Sequence, residues 1–312
     1  MTTNISVNLT PQRKPGLVLA NPVMLASGTC GYGSELTEIS DIQRLGALVC
    51  KGTTLEPREG NPQPRIVETP AGMLNSIGLQ NIGVEALIRD LAPVWAGWQL
   101  PLIVNIAGAT IEEYAAVAAR LEGVAGISAI ELNIGCPNVK AGGAEFGANP
   151  DAAAAVTAAV RRATKLPLLV KLTPNITDIV AVASAVAEAG AEAVTLINTL
   201  RGLAIDINRR RPLLGNIYGG LSGPAIKPVA LAMVYQVAAA VPIPVIGCGG
   251  IVTATDALEF IMAGSSAVEI GTAALVDPLA PLEILEGITD FMAREGIRDI
   301  NEIIGAAQPP AT

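Results

Sequence analysis

Two lysines, three asparagines and a set of glycine pairs occupy one kind of place in this sequence, the point where a short apolar run gives out. Ser27-Gly28, Lys51-Gly52, Asn105, Asn133 with Cys136 close behind, Lys171, Asn198-Thr199, Gly249-Gly250 and Gly271-Thr272 each follow such a run. Ammonium and amide groups at the end of an apolar segment are costly to bury unless something pairs with them, so their convergence implies a polar ligand. The glycine pairs suggest that the ligand is phosphorylated, because bare backbone approaches a phosphate closely and donates N–H groups to it. Cys136 lies in Asn133-Ile134-Gly135-Cys136-Pro137-Asn138-Val139-Lys140-Ala141-Gly142-Gly143. That segment is rich in turn formers and reads as a mobile loop carrying a thiol over the site. Taken singly, each polar residue reads just as well as a strand-end side chain bonded to its own loop, and each glycine pair as turn punctuation. The set as a whole points to a ligand.

Composition excludes several chemistries. The chain has no histidine, which rules out a Ser-His-Asp triad, a His-ligated metal and a histidine base. Cys30, Cys50, Cys136 and Cys248 are widely spaced without a CxxC, so neither disulfides nor iron–sulfur ligands nor a metal site are expected in this chain. Cys30, Cys50 and Cys248 read as small buried hydrophobes. Lysine plus arginine number 20 against 28 acidic residues, a net charge of −8, and only Arg209-Arg210-Arg211 cluster. That run reads as a solvated loop, and nothing suggests a nucleic-acid surface. Gly28, Gly31 and Gly33 have the wrong spacing for a dinucleotide fingerprint. The most apolar stretch, Pro228 to Ile251, contains Gln236, Pro242 and Pro244 and reads as a helix followed by a buried strand rather than a membrane span. With no charged-then-apolar signal segment at the N-terminus, a cytoplasmic location is expected.

The elements that must position these residues can be read from the alternation of apolar runs with Ala-rich, helix-period stretches. Strands are predicted at Val23–Ser27, Ala47–Lys51, Leu102–Ile106, Ala129–Ile134, Leu168–Leu172, Ala193–Asn198, Pro244–Gly247 and Ala267–Gly271. Continuous apolar strands are buried on both faces, and parallel neighbours need crossovers, so eight such units predict a closed (β/α)8 TIM barrel of the α/β class. Thr110 with Glu113 is a capping box, Asn149 caps a helix with Pro150 at its first position, and Gly190 marks the stop of a helix from Thr177. The connections from Thr53 to Gln80 and from Leu200 to Gly223 are too long for plain turns and are expected to be functional loops. No linker divides the chain, so a single domain over residues 1–312 is expected, with a short flexible tail at 305–312.

Four motifs, in order, resemble dihydroorotate dehydrogenase: Asn75-Ser76-Ile77-Gly78-Leu79-Gln80-Asn81, Asn133-Ile134-Gly135-Cys136-Pro137-Asn138, Lys171-Leu172-Thr173-Pro174-Asn175 and Gly219-Gly220-Leu221-Ser222-Gly223-Pro224-Ala225. The resemblance spans about Leu19 to Pro278. It implies oxidation of dihydroorotate to orotate in pyrimidine biosynthesis, with one FMN per chain contacted by Ser27, Lys51, Gly52, Asn105, Asn133, Lys171, Ile197, Gly223, Gly249, Gly250, Gly271 and Thr272. Substrate would be held by Lys51, Asn75, Ser76, Ile77, Gly78, Leu79, Asn133, Asn198 and Thr199, with Cys136 as the base. The Asn-Val-Lys-x-Gly-Gly after the cysteine is similar to the NAD-linked branch (class 1B), whose partner subunit carries FAD and a [2Fe–2S] cluster. A homodimeric core within a heterotetramer is the implied assembly. Gly135 departs from the small residue, usually Ser, found there in the family, which would loosen the loop. The competing readings are a fumarate-linked dihydroorotate dehydrogenase, a dihydropyrimidine dehydrogenase-like flavoenzyme, and a flavin-free phosphate-binding lyase or isomerase.

Overall fold

The computed structural model describes residues 3–135 and 146–309. Eight strands close into a parallel barrel: β1 Val23–Leu25, β2 Ala47–Thr53, β3 Leu102–Ile106, β4 Ala129–Asn133, β5 Leu168–Lys171, β6 Ala193–Leu196, β7 Val245–Cys248 and β8 Ser265–Ile270. They are hydrogen-bonded in chain order, with β8 pairing β1. All eight strands predicted from the apolar runs are present, displaced by no more than a few residues at their ends. Their bodies are almost entirely buried, as a sheet wrapped by helices requires. Small residues admit large ones at the contacts: a Cβ on Gly247 of β7 would fall 2.5 Å from the ring of Phe260, itself fully buried.

Between the strands run a helical stretch α1 over residues 84–95, α2 Ile111–Leu121, α3 Pro150–Ala163, α4 Ile179–Glu188, α5 Lys227–Ala238 and α6 Ala254–Ala263. After β8 come α7 Thr272–Val276 and α8 Ala280–Glu295. Only a 3-10 turn at Ile42–Arg44 stands in the first crossover, so the strict strand–helix alternation expected there is not kept. Asn149 caps α3 through Ala152 N–H, with Pro150 at its first position, as expected. Thr110 accepts from Glu113 N–H, but the Glu113 carboxylate turns to Ala109 N–H at 2.6 Å, one residue earlier than a capping box needs. Helix α4 begins two residues past the expected start, capped by Asp178, and ends before Gly190 at φ 105°.

Both long connections are structured. Ile66–Thr69 and Gly72–Asn75 from the first, and Leu200–Gly202 and Gly219–Ser222 from the second, form one four-stranded antiparallel sheet at the rim. Loops were expected there because the segments are rich in proline and glycine. Each rim strand is only three or four residues long, too short for alternation to register, and its partner lies in the other connection. A Cβ on Gly220 would fall 2.0 Å from Thr199 Oγ1, which shows how closely this sheet approaches the barrel. At the opposite end a short antiparallel pair, Val7–Asn8 with Val18–Leu19, is tied down by Arg13 donating to Glu192 and to the Lys165 carbonyl, both just before barrel strands.

The described part of the expected flexible tail is anchored. Gly305 and Ala307 N–H donate to the Ile261 and Met262 carbonyls, and Gln308 Nε2 donates to the carbonyls of Tyr235 and Ala263. These bonds reach carbonyls near the C-terminal ends of α5 and α6, of which that of Ile261 also accepts from Gly264 N–H, and sequence position alone does not reveal such partners. No helix among the described residues is long and apolar enough to cross a membrane, and Arg209, Arg210 and Arg211 are exposed.

Candidate active site

The strand ends and the rim sheet enclose one cavity with about 1330 Å³ of non-atom space, part of it open to solvent. Except for Ser76, every site residue expected from the sequence that falls among the described residues lines it. Ser76 is buried on the other side of its strand end, where its hydroxyl accepts from Asn61 Nδ2 at 2.9 Å and its N–H donates to the Arg65 carbonyl. The reason is strand alternation: Asn75 and Ile77 point one way and Ser76 the other. Ser76 therefore holds the 75–79 segment in shape without facing the cavity. Cys136 lies outside the described residues. Gly135, immediately before it, is buried at the end of β4, with its N–H donating to Asn133 Oδ1. A side chain there would place its Cβ 3.0 Å from Thr173 Cβ, so glycine suits this close packing.

The polar groups form a chain from the cavity into the barrel core. Asn198 Nδ2 donates to Asn133 Oδ1, Asn133 Nδ2 to Asn105 Oδ1, and Asn105 Nδ2 to Glu131 Oε1 at 2.6 Å. Glu131 Oε2 accepts from Thr195 Oγ1, and the Tyr114 hydroxyl donates to the Asn133 carbonyl. The run of bonds fixes each amide's orientation, so that the remaining donors and acceptors of Asn133 and Asn198 are preset for a ligand.

The two lysines are set differently. Lys171 is buried, and its ammonium donates to Glu269 Oε2 at 2.7 Å with Cys248 Sγ at 3.7 Å. Burial alone would push its pKa down, but Cys248, Glu269 and Glu131 outweigh that and hold it well above the ordinary lysine value. Lys51, at the end of β2, is half-buried with no carboxylate bonded to it among the described residues; burial and then the nearby Arg65 lower its pKa. A ligand carboxylate would reverse both effects.

Glu131 and Glu269 are the residues that the sequence reading missed. Each interrupts an otherwise apolar buried strand, Ala129–Asn133 and Ser265–Ile270, and a carboxylate inside such a run was the available signal. Cys248, read as a buried hydrophobe, is buried and also lines the cavity. Cys30 and Cys50 are buried as expected, and burial raises their thiols, Cys50 to about 12. No metal-binding cluster of acidic, thiol or imidazole groups is found among the described residues.

A family profile described as dihydroorotate dehydrogenase matches residues 11–292. The chain belongs to the dihydroorotate dehydrogenase family. Among family members, a protein of Desulforudis audaxviator named dihydroorotate dehydrogenase B (NAD(+)), catalytic subunit, is 58% identical over 292 residues, covering 94% of this chain and 95% of that protein. Proteins of the same name from Trichlorobacter lovleyi and Pelobacter propionicus are 57% and 54% identical; the latter alignment covers 99% of this chain and 100% of its relative. A crystal structure of DHODH in complex with ferulenol, from Eimeria tenella, superposes with a TM-score of 0.82 at 22% identity, covering 98% of this chain and 89% of that one, and shows the shared fold. As a member of the dihydroorotate dehydrogenase family the chain is an oxidoreductase, and its closed eight-stranded barrel is the TIM fold expected from the sequence.

Proposed function

We propose that this chain oxidises (S)-dihydroorotate to orotate with FMN as its resident cofactor, as the catalytic subunit of an NAD-linked enzyme. The carrying observation is that one cavity is lined both by a free-facing cation with amides, Lys51, Asn75, Asn133 and Asn198, and by Lys171 with the bare backbone at Gly223, Gly249, Gly250 and Gly271. The second group fits a flavin nucleotide. Gly250 has φ 74°, and a Cβ there would fall 2.8 Å from the Gly223 carbonyl and from Lys227 N. Any other residue would therefore be strained and would wall off the backbone that a phosphate needs. Ile197, Ile226 and Ile251 supply apolar faces, and Lys171 a buried cation for a ring edge that gains negative charge. When bound, FMN would supply the hydride acceptor.

The chain's own residues would then do the rest. Lys51 binds the substrate carboxylate, while Asn133 and Asn198, oriented by the amide chain, match the donors and acceptors of a pyrimidinedione edge. Cys136 takes the C5 proton. Electrons would leave to NAD through a partner subunit carrying FAD and [2Fe–2S], in a heterotetramer around a homodimeric core; the names of the relatives, a catalytic subunit linked to NAD(+), support that division of labour.

An absorbance spectrum of the purified chain tests the reading: a flavin spectrum that bleaches anaerobically on adding dihydroorotate is expected, and a colourless chain, or one bleached by dihydrouracil as readily as by dihydroorotate, overturns it. Lys51→Met is expected to weaken dihydroorotate binding roughly 10- to 100-fold, the worth of a charge-assisted hydrogen bond, and to narrow the preference over dihydrouracil. Titration of the flavin spectrum with both ligands checks this.

A further inference from the structure

Beneath the cavity, three charged side chains from three strands meet away from solvent. Glu131 of β4 is 0% exposed, Lys171 of β5 5% and Glu269 of β8 1%. Lys171 Nζ donates to Glu269 Oε2, while both oxygens of Glu131 already accept, from Asn105 Nδ2 and Thr195 Oγ1. The remaining oxygen, Glu269 Oε1, has no hydrogen-bond partner among the described residues, and the Glu131 carboxylate is near enough to raise the Glu269 pKa. Two carboxylates against one ammonium would leave a net negative charge sealed in the barrel core, and two facing carboxylates with no hydrogen between them repel. A single proton removes both problems: it makes the trio neutral and gives Glu269 Oε1 a hydrogen to donate to Glu131.

We propose that Glu131 and Glu269 hold one proton between them, carried on Glu269 Oε1, and that this proton sets the net charge behind Lys171 and through it the reduction potential of the bound flavin. Glu269 is then a positioning residue that acts through Lys171. The part concerning the flavin rests on the function proposed above; the part concerning the proton does not.

The groups facing Glu269 from the surrounding strands leave it as the titrating element. Lys171 stays protonated, and burial holds the thiols neutral: Cys248 of β7, beside Lys171, is pushed up to about 12, Cys50 of β2, which faces Glu131, also to about 12, and Cys30, near Glu269, higher still. Burial first and the Glu131 charge second raise Glu269 to about 8, against the opposing pull of Lys171. Below that pH the trio is neutral. Above it the trio carries one negative charge, which opposes placing electrons on a ring next to Lys171, so the potential falls more steeply on the alkaline side.

Glu269→Gln separates this from a purely structural role, because a glutamine amide reproduces the protonated acid: its oxygen accepts from Lys171 and its N–H donates to Glu131. Flavin potentials of the full-length, flavin-loaded wild-type and E269Q chains would be measured by dye equilibration across the neutral and alkaline range. Coincident potentials near neutral pH, with loss in E269Q of the wild-type alkaline break, are expected. An E269Q potential already displaced near neutral pH, or an alkaline break that survives the substitution, overturns the proposal. Infrared spectroscopy provides the second readout: a buried carboxylic-acid C=O band in the wild type that titrates away at alkaline pH and is missing from E269Q. If the wild type lacks that band, no shared proton exists, whether or not flavin is bound. A chain that purifies without flavin sinks the functional reading, and the infrared band then decides the proton alone.

Discussion

Reduction of the bound flavin by dihydroorotate is expected to slow roughly 10²- to 10⁴-fold when Cys136 is replaced by alanine, the usual worth of a positioned base. The reason lies in what the rest of the chain lacks. There is no histidine, and the thiols of Cys30, Cys50 and Cys248 are buried and raised to about 12 or beyond, so they are poor bases near neutral pH. Glu131 has both oxygens occupied by donors, and Glu269 lies against Lys171 in the core. Cys136 follows directly on Gly135, at the end of the strand whose Asn133 lines the cavity. A thiol titrates ordinarily near about 8.5 and acts as a base only when ionised, so the wild-type rate should climb toward alkaline pH and the Cys136→Ala rate should stay flat. Stopped-flow absorbance under anaerobic conditions reads both. A Cys136→Ala chain that bleaches at the wild-type rate removes this residue from the reaction.

The second large effect is on stability. Lys171→Met takes away the only ammonium bonded to the buried carboxylates among the described residues, leaving uncompensated negative charge in the core at a cost of about 3–5 kcal/mol. The loss should depend on pH in a definite direction. Without the lysine's opposing pull, Glu269, already raised by burial and then by the Glu131 charge, binds its proton still more tightly folded than unfolded, so its folded pKa lies further above the ordinary carboxylate value. A group raised in this way contributes stability that is complete below the unfolded pKa and is lost as pH rises through the folded one. The deficit relative to wild type should therefore be modest at mildly acidic pH and largest on the alkaline side. Denaturant midpoints of the two chains, compared at matched flavin saturation, measure it. Equal midpoints across the pH range would show that Lys171 and the carboxylates are not electrostatically linked.

The two effects are expected to separate because Lys171 is bonded to a buried carboxylate. Cys136 lies outside the described residues, whereas Lys171 is at the boundary between cavity and core, with Cys248 and Glu269 behind it. Substitution at the first should change rates with little change in folding; substitution at the second should change folding, flavin retention and rate together.

The amino-acid sequence by itself determined the barrel and most of its rim. A strand buried on both faces must be apolar along its whole length, and a residue that ends such a run is carried to the mouth by the parallel closure, so Lys51, Asn105, Asn133, Lys171 and the glycine pairs could be placed from one-dimensional pattern alone. Cavity-facing and buried positions cannot be told apart where alternation decides, and this is why Ser76 was grouped with its neighbours although it turns to Asn61 and Arg65. Only the tertiary structure decided the rim sheet, whose strands pair across connections more than a hundred residues apart, and the meeting of Glu131, Lys171 and Glu269 from three separate strands. Pairing of that kind is a property of register and closure, and neither leaves a local trace in composition or period.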